Sequence, residues 1–255
     1  MKDEVIIMKK QVSLYPETTT QELTPEREKE LLEWCEKIKV LPGGTASCSD
    51  ALDSLGYTRC SMDPTIGPFF PEKGRMCGLA YTLRGSNITG LPPDTPEVRD
   101  TVDVEYYDGI RPGYVLTYGT ECSDRGTIFG DVICTFAASR GAVGAVGECP
   151  ARDLERIKPL NYLPFGRLAC PIDGNGRVLW IEFNCIIQVG GVWVEPFDII
   201  FGDMDGVVVI PKHLAQKTYE LAVIIAEKEE GMKYDFEHNK ELSFLEVLKK
   251  NDRRC

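Results

Sequence analysis

The chain has 255 residues, of which 43% are hydrophobic and 27% are charged, and its formal charge is -11. This composition is typical of a globular protein with a sizeable core, and it excludes a fibrous repeat or a disordered chain. The 40 acidic residues outnumber the 29 Lys and Arg residues, and binding to nucleic acid depends on clustered basic side chains. We therefore do not expect a nucleic-acid partner.

No apolar run approaches the length of a membrane span, and the first residues lack the apolar core of a signal peptide. We expect a cytoplasmic protein with no membrane partner. The ten cysteines form no C-x-x-C pair and there are only two histidines, so a zinc ribbon or zinc finger is not expected.

The first part of the chain combines an arm with two helices. Residues 1–23 are predicted to form an N-terminal arm, because they show no clear helical or strand period. Thr24 followed by Pro25 is typical of a helix start, and apolar residues recur at helical spacing up to Val40. A second, short helix is predicted over residues 45–55.

Two long irregular segments follow, at residues 57–74 and 88–112, with a strand at residues 76–83 between them. The second segment is predicted to contain a short helix around residues 98–106. Loops of this length are uncommon in compact domains, which favours a functional or interfacial role for both.

The middle of the chain alternates strands and helices, which indicates an α/β architecture with right-handed crossovers. The predicted order is a strand at 114–119, a helix at 131–139, a buried strand at 142–147 and a short helix at 153–158.

The last part of the chain is predicted to be rich in β-structure and then helical. Short strands are expected at 163–165, 177–183, 185–189 and 191–194, and a hairpin with an Asp-Gly turn at 198–211. A long helix is predicted from residue 212 to Gly231. Residues 24–231 would thus form the main domain, and residues 232–255 a helical tail at a subunit interface.

Two local patterns in the middle segment suggest a functional site. Gly130 and Asp131 stand at a predicted helix start, where the amides of Val132 and Ile133 lack intrahelical acceptors and can bind a carboxylate or phosphate. Asp131 alone is equally compatible with an ordinary acidic residue at a helix start.

The second pattern is Arg152 and Asp153, directly after a buried strand, at the end where open α/β sheets place ligands. Asp153 as a helix cap and Arg152 as a surface charge are the alternative interpretation. Taken with Gly130 and Asp131, the pair has what an α-keto acid needs. The helix start would hold the substrate carboxylate. The guanidinium and a Mg²⁺ ion on the hard oxygen ligand would polarise the carbonyl and neutralise the enolate charge.

Several short motifs occur in a fixed order over residues 45–230. They are SDALD (49–53) with LG (55–56), GLAYT (78–82), PGYV (112–115), GD (130–131), RG (140–141), RD (152–153), GGVWV (190–194) and GDMDGVVVIP (202–211). Together they resemble the RraA-like family, which includes class II pyruvate aldolases of the 4-hydroxy-4-methyl-2-oxoglutarate aldolase type. The resemblance implies an α/β/α layered domain with a swivelling-domain-like β core. It also implies a homo-oligomer, a trimer or hexamer, with active sites between subunits.

The aldolase signature of that family is an Asp, twenty residues, Arg-Asp, two residues and a final Glu or Asp. Asp131, Arg152 and Asp153 fit this pattern, but Arg156 occupies the last position and Glu155 stands one place early. Arg156 puts a positive charge where the family has a negative one. This change is expected to weaken cation binding or to reshape the part of the pocket that recognises the leaving half of the substrate.

By the resemblance, Asp153 would bind Mg²⁺ (or Mn²⁺), and Arg152 would hold the carbonyl or enolate oxygen of a small α-keto acid. The amides of Val132 and Ile133, next to Gly130, would hold the substrate carboxylate, and Asp131 would orient a metal-bound water. The implied reaction is retro-aldol cleavage, or decarboxylation of oxaloacetate, through a pyruvate enolate. Two alternatives stay open: a scaffold recruited to a different reaction, and a non-catalytic protein-binding regulator of a ribonuclease.

Overall fold

The computed structural model of the chain describes residues 23–87, 103–120, 126–174 and 177–252. The predicted N-terminal arm, apart from Leu23, and the greater part of the loop at 88–112 lie outside these ranges. Within them, no helix is both long enough and apolar enough to cross a membrane.

The helices of the described chain are α1 (Pro25–Lys39), α2 (Gly44–Ser54), α3 (Asp103–Asp108), α4 (Asp131–Ser139), α5 (Leu154–Ile157), α6 (Ala215–His238) and α7 (Phe244–Asp252). A single 3-10 turn covers Pro71–Lys73. The strands are β1 (Gly67–Pro68), β2 (Met76–Asn87), β3 (Tyr114–Thr120), β4 (Gly144–Gly147), β5 (Leu163–Gly166), β6 (Val178–Phe183), β7 (Ile187–Val189), β8 (Val192–Val194), β9 (Ile199–Asp203) and β10 (Gly206–Ile210).

One sheet forms the centre of the fold, with strand order β1-β5-β4-β3-β2-β9-β10. Strands β2, β3, β4 and β5 are parallel, as the alternation of strands and helices predicts, whereas β9 and β10 form an antiparallel hairpin beside β2. Strand β6 pairs with the far end of β2, and β7 and β8 form a separate hairpin.

The sheet curls until it nearly closes into a barrel. Ser61 bridges to Val208 in the edge strand β10, and a few residues later β1 pairs with β5 at the opposite edge. The short segment from Ser61 to Pro68 therefore connects the two edges of the sheet. The expected α/β architecture with a swivelling-domain-like β core is confirmed in this mixed, barrel-like sheet.

Both faces of the sheet are buried, which explains the nearly continuous apolar runs of its strands. Successive residues of a strand point to opposite faces, so Ile199 and Phe201 pack towards the helices while Ile200 points to the barrel interior. The interior is filled mainly by aliphatic side chains, and the outer layer also contains many aromatic ones. This double burial holds the strand ends in fixed positions.

One predicted helix end differs from the structure. Helix α6 does not end at Gly231 but continues to His238, because a single glycine inside a helix costs only about 1 kcal/mol and tertiary packing can offset it. Buried Asp235 accepts hydrogen bonds from Lys250 and Asn251 of α7, which fixes the last turns of α6. Of the helix predicted at 98–106, residues 98–102 lie outside the described residues, and residues 103–106 belong to α3, which ends at Asp108.

Candidate functional site

The site is assembled where the chain leaves β4 and where α4 begins. Phe129 and Ala151, both buried, form a parallel bridge, and the amide of Arg152 donates to the carbonyl of Phe129 at 2.9 Å. This backbone contact spans the twenty-residue interval noted in the sequence. It places the N-terminus of α4, with Gly130 and Asp131, next to Arg152 and Asp153.

Asp153 has a left-handed backbone conformation, with φ of 60°. It precedes α5, but its side chain makes no capping hydrogen bond. Instead, Asp153 Oδ2 lies 3.4 Å from Arg152 Nε. Non-glycine residues in this region are uncommon, although Asp is enriched among them, and such conformations cluster at functional sites.

Gly130 lies directly beneath the Arg152–Asp153 pair. A Cβ atom added at Gly130 would lie 3.4 Å from both Arg152 Nε and Asp153 Oδ2. The guanidinium and the carboxylate therefore lie against the backbone at the N-terminus of α4, where helix amides attract anions.

Asp131 is held by two hydrogen bonds. Its Oδ1 accepts from the amide of Val132 at 2.9 Å, and its Oδ2 lies 3.1 Å from Arg156 Nη1. The hydrogen bond from Arg156 is the largest cause of a lowered pKa at Asp131, with further contributions from the Val132 amide and the charge of Arg152. Asp131 is therefore a stable carboxylate. The Val132 amide is already engaged by it, which leaves Ile133 as the freer donor of the first turn.

The structure adds one residue that the sequence did not indicate. Asp173 Oδ2 lies 3.3 Å from Arg152 Nη1, because a parallel bridge between Thr127 and Asp173 brings that segment beside the strand leading into α4. Asp173 precedes Gly174, and the pair has the composition of a turn. The spacing between Arg152 and Asp173 in the sequence does not predict this contact.

Three carboxylates and two guanidiniums form two groups of ion pairs, Arg152 with Asp153 and Asp173, and Arg156 with Asp131. The charge of Arg152 also acts on Asp131, so the five side chains are treated as one ionic cluster. Arg152 is half-buried between Asp153 and Asp173, and Arg156 is exposed and contacts Asp131. In the described part of the chain, no three His, Cys, Asp or Glu side chains are grouped so that they could hold a metal ion. Mg²⁺ often takes only one or two protein carboxylates and completes its shell with water and substrate oxygens, and Asp153 fits that mode.

The surface around the cluster is partly apolar. Val132, in the first turn of α4, is 73% exposed, and Leu168, whose carbonyl accepts the Ala151 amide, is 65% exposed. Val132 and Leu168 thus leave exposed apolar surface on two segments that adjoin the site.

An α/β domain with a barrel-like mixed sheet, and with an Arg-Asp pair over a helix N-terminus, defines the class of fold expected from the sequence motifs. The comparisons identify it: residues 45–209 match the RraA-like family model, described as Aldolase/RraA. The chain belongs to the RraA-like family.

Individual relatives agree with this assignment. A Halalkalibacterium halodurans protein provisionally named as a 4-hydroxy-4-methyl-2-oxoglutarate aldolase is 30% identical over 184 residues, which are 71% of this chain and 78% of that protein. Protein DlpA of Legionella pneumophila is 28% identical over 74% of this chain. The chain spans only 29% of the length of DlpA.

Among solved structures, the chain resembles Streptomyces coelicolor RraAS2, described as an unusual member of the ribonuclease ES inhibitor RraA family. The TM-score is 0.66 and the identity 22%, over 78% of this chain and 94% of that one. This likeness concerns the fold.

Proposed function

We propose that the protein is a divalent-metal-dependent carbon–carbon lyase that acts on an α-keto acid through a pyruvate enolate. The observation that carries the proposal is the placement of Arg152 and Asp153 over Gly130, at the N-terminus of α4. This placement puts a guanidinium and a carboxylate oxygen, a hard metal ligand, beside a helix N-terminus. The provisional name of the Halalkalibacterium relative supports the same chemistry.

Each residue of the site would have a separate role in the reaction. The amide of Ile133 would bind the substrate carboxylate. The amide of Val132 would join it when its hydrogen bond to Asp131 Oδ1 breaks. Arg152 would donate to the keto oxygen, and its charge would stabilise the enolate oxygen as the electron pair of the broken carbon–carbon bond moves onto it. A divalent cation held by Asp153 supplies Lewis-acid polarisation of that oxygen when bound.

Asp131 would position the water that moves the proton. In retro-aldol cleavage a proton leaves the substrate hydroxyl and one is added to the enolate carbon, whereas decarboxylation releases carbon dioxide and needs only the second step. Because Asp131 is kept ionised by Arg156, it can orient such a water as an acceptor rather than act as the proton donor.

The proposed assembly is a homo-oligomer, a trimer or hexamer, in which a neighbouring chain covers the apolar surface beside the site. The exposure of Val132 and Leu168 supports it. A pocket closed by a partner would also exclude water from the enolate.

The decisive experiment measures pyruvate released from oxaloacetate and from 4-hydroxy-4-methyl-2-oxoglutarate by the full chain with Mg²⁺ or Mn²⁺. Asp153→Asn is the variant of choice, since Asn tolerates the left-handed backbone that Ala does not, and only the charge is removed. We expect kcat/KM to fall by about 100-fold or more. Asp53→Asn, at an exposed position of α2, is the matched control and should retain wild-type activity.

A second candidate function is a protein-binding regulator of a ribonuclease. The specific observation in its favour is that all three carboxylates are paired with a guanidinium: Asp131 with Arg156, and Asp153 and Asp173 with Arg152. None of them is left as an unpaired ligand for a cation. The same assay separates the two functions. Absence of pyruvate from both substrates with both metals, or full activity in Asp153→Asn, would count against the lyase and in favour of the regulator.

A further inference from the structure

Residues 148–150 form an irregular link between β4 and the candidate site. Strands β4 and β5 pair in parallel up to Val146 and Phe165, and the pairing resumes at Ala151 and Ala169. Five residue steps on the first segment are therefore opposite four on the second. An extra residue of this kind is a β-bulge, and bulges next to functional sites redirect the side chains that follow them.

Glu148 is the first residue of this link, and its carboxylate has two partners. Its Oε2 lies 2.9 Å from Arg167 Nη2, and its Oε1 accepts from the amide of Gly190. Arg167 directly follows β5 and also lies 3.6 Å from Asp63. Glu148 and Arg167 are only 21% and 26% exposed, and removing one charge of a partly buried pair has a larger effect than removing one at the surface.

The other end of the link is held by its backbone. The amide of Ala151 donates to the carbonyl of Leu168, and the amide of Cys170 donates to the carbonyl of Ala151, both at 2.9 Å. These bonds bind Ala151 to the segment that begins with Arg167. The bulge is thus fixed at its second end by backbone hydrogen bonds and at its first end by the side chain of Glu148.

We propose that Glu148 is a positioning residue that fixes the bulge and thereby the direction of Arg152 and Asp153. The inference rests on the proposed lyase function, to which it adds a residue outside the ionic cluster. A shift of the bulge would move both side chains relative to Gly130, against which they lie at the N-terminus of α4. A misplacement of about 1 Å at a reacting site can reduce the rate by about 100-fold.

Glu148→Gln tests this role, because Gln has nearly the same shape and can still accept from the Gly190 amide but loses the charge that pairs with Arg167. With oxaloacetate and Mg²⁺, kcat should fall by about tenfold to 100-fold. KM should change by less than about twofold, because the helix amides assigned to the substrate carboxylate stay in place. Glu72→Gln is the matched control, since it removes the same charge from an exposed pair with Lys158, and it should keep wild-type kcat.

Glu148→Asp keeps the negative charge on a shorter side chain and should retain more of kcat than Glu148→Gln. It also takes the place of Glu148→Gln in both measurements if that variant does not fold. A lower melting temperature together with wild-type kcat would show that Glu148 only stabilises the fold, and would overturn the proposal.

Amide hydrogen exchange separates this inference from the proposed function, because it needs no turnover. In Glu148→Gln the amides of Ala151 and Arg152 should exchange at least about tenfold faster than in wild type, and in Glu72→Gln they should be unchanged. In a wild-type protein without lyase activity the proposed function fails, and faster exchange would still support the role of Glu148. In an active lyase, unchanged exchange in Glu148→Gln would overturn the role of Glu148 alone.

Discussion

Replacing Asp198 with Asn should change how the stability of the fold depends on pH. Asp198 is 5% exposed and lies just before β9. Its Oδ1 accepts from the amide of Lys212 and its Oδ2 from the amide of Glu195, both at 2.9 Å, so it connects the chain on either side of the β9–β10 hairpin. Burial raises its pKa from 3.8 to about 6, and this outweighs the two amides and the Lys212 ammonium, which lower it.

The sign and size of the change in stability with pH follow from this pKa. A carboxyl whose pKa is raised by folding binds its proton more tightly in the folded state, so its contribution to stability is complete below the unfolded value of 3.8 and disappears as pH rises through about 6. The interval between these values corresponds to about 3 kcal/mol. Between about pH 4.5 and pH 7.5 about 2 kcal/mol of this contribution is lost.

The measurement is urea unfolding of wild type and Asp198→Asn at several pH values in that range. Asn loses one of the two hydrogen bonds at every pH, which shifts the free energy of unfolding by a constant amount. The contributions of all other titrating groups cancel when the free energies of the two proteins are subtracted. The free energy of unfolding of wild type, relative to the variant, should fall by about 2 kcal/mol with unchanged m-values. A difference that stays constant over the range would show that Asp198 titrates alike in the folded and unfolded states, which would refute the reasoning.

Two further predictions concern the ionic cluster and the apolar surface beside it. Arg156→Glu should raise the affinity for Mn²⁺ on the order of tenfold at low salt, because Asp131 loses its partner and the local charge becomes more negative. The affinity is measured by electron paramagnetic resonance. An unchanged affinity would show that the charge of Arg156 does not oppose cation binding at the cluster. The full chain should have a mass in light scattering of about three or six times 28.5 kDa. Val132→Asp should lower this mass, because it puts a charge on the exposed apolar surface assigned to the subunit contact. A wild-type monomer at micromolar concentration would contradict the assembly.

Elements with strong local signals could be predicted from the sequence. Thr24 caps α1 as expected, with its hydroxyl accepting from the amide of Arg27, and Pro25 is the first helical residue. Helix α4 has the predicted bounds, Asp131–Ser139. In these cases a capping residue and an apolar stripe lie within one short segment, so no distant contact is needed to define the element.

Features that depend on distant contacts could not be predicted. Asp203 looks like a turn residue, and its Oδ1 does accept from the amide of Asp205 in the turn. It is also buried and accepts hydrogen bonds from the amide and hydroxyl of Thr45, at a separation of 158 residues. The contact of Asp173 with Arg152 also depends on a bridge between separate segments. Neither partner shows a periodicity or spacing that marks the pair, because each contact forms only when separate segments are brought together by the fold.

The substitution at position 156 affects one half of the site more than the other. The candidate pyruvate half consists of helix amides, Arg152 and Asp153, and Arg152 is fixed by Asp153 and Asp173 whatever stands at position 156. The side chain of Arg156 pairs with Asp131, next to this half, and is largely exposed. A change from acid to arginine there would thus leave enolate stabilisation with Arg152 and alter mainly the recognition of the leaving half.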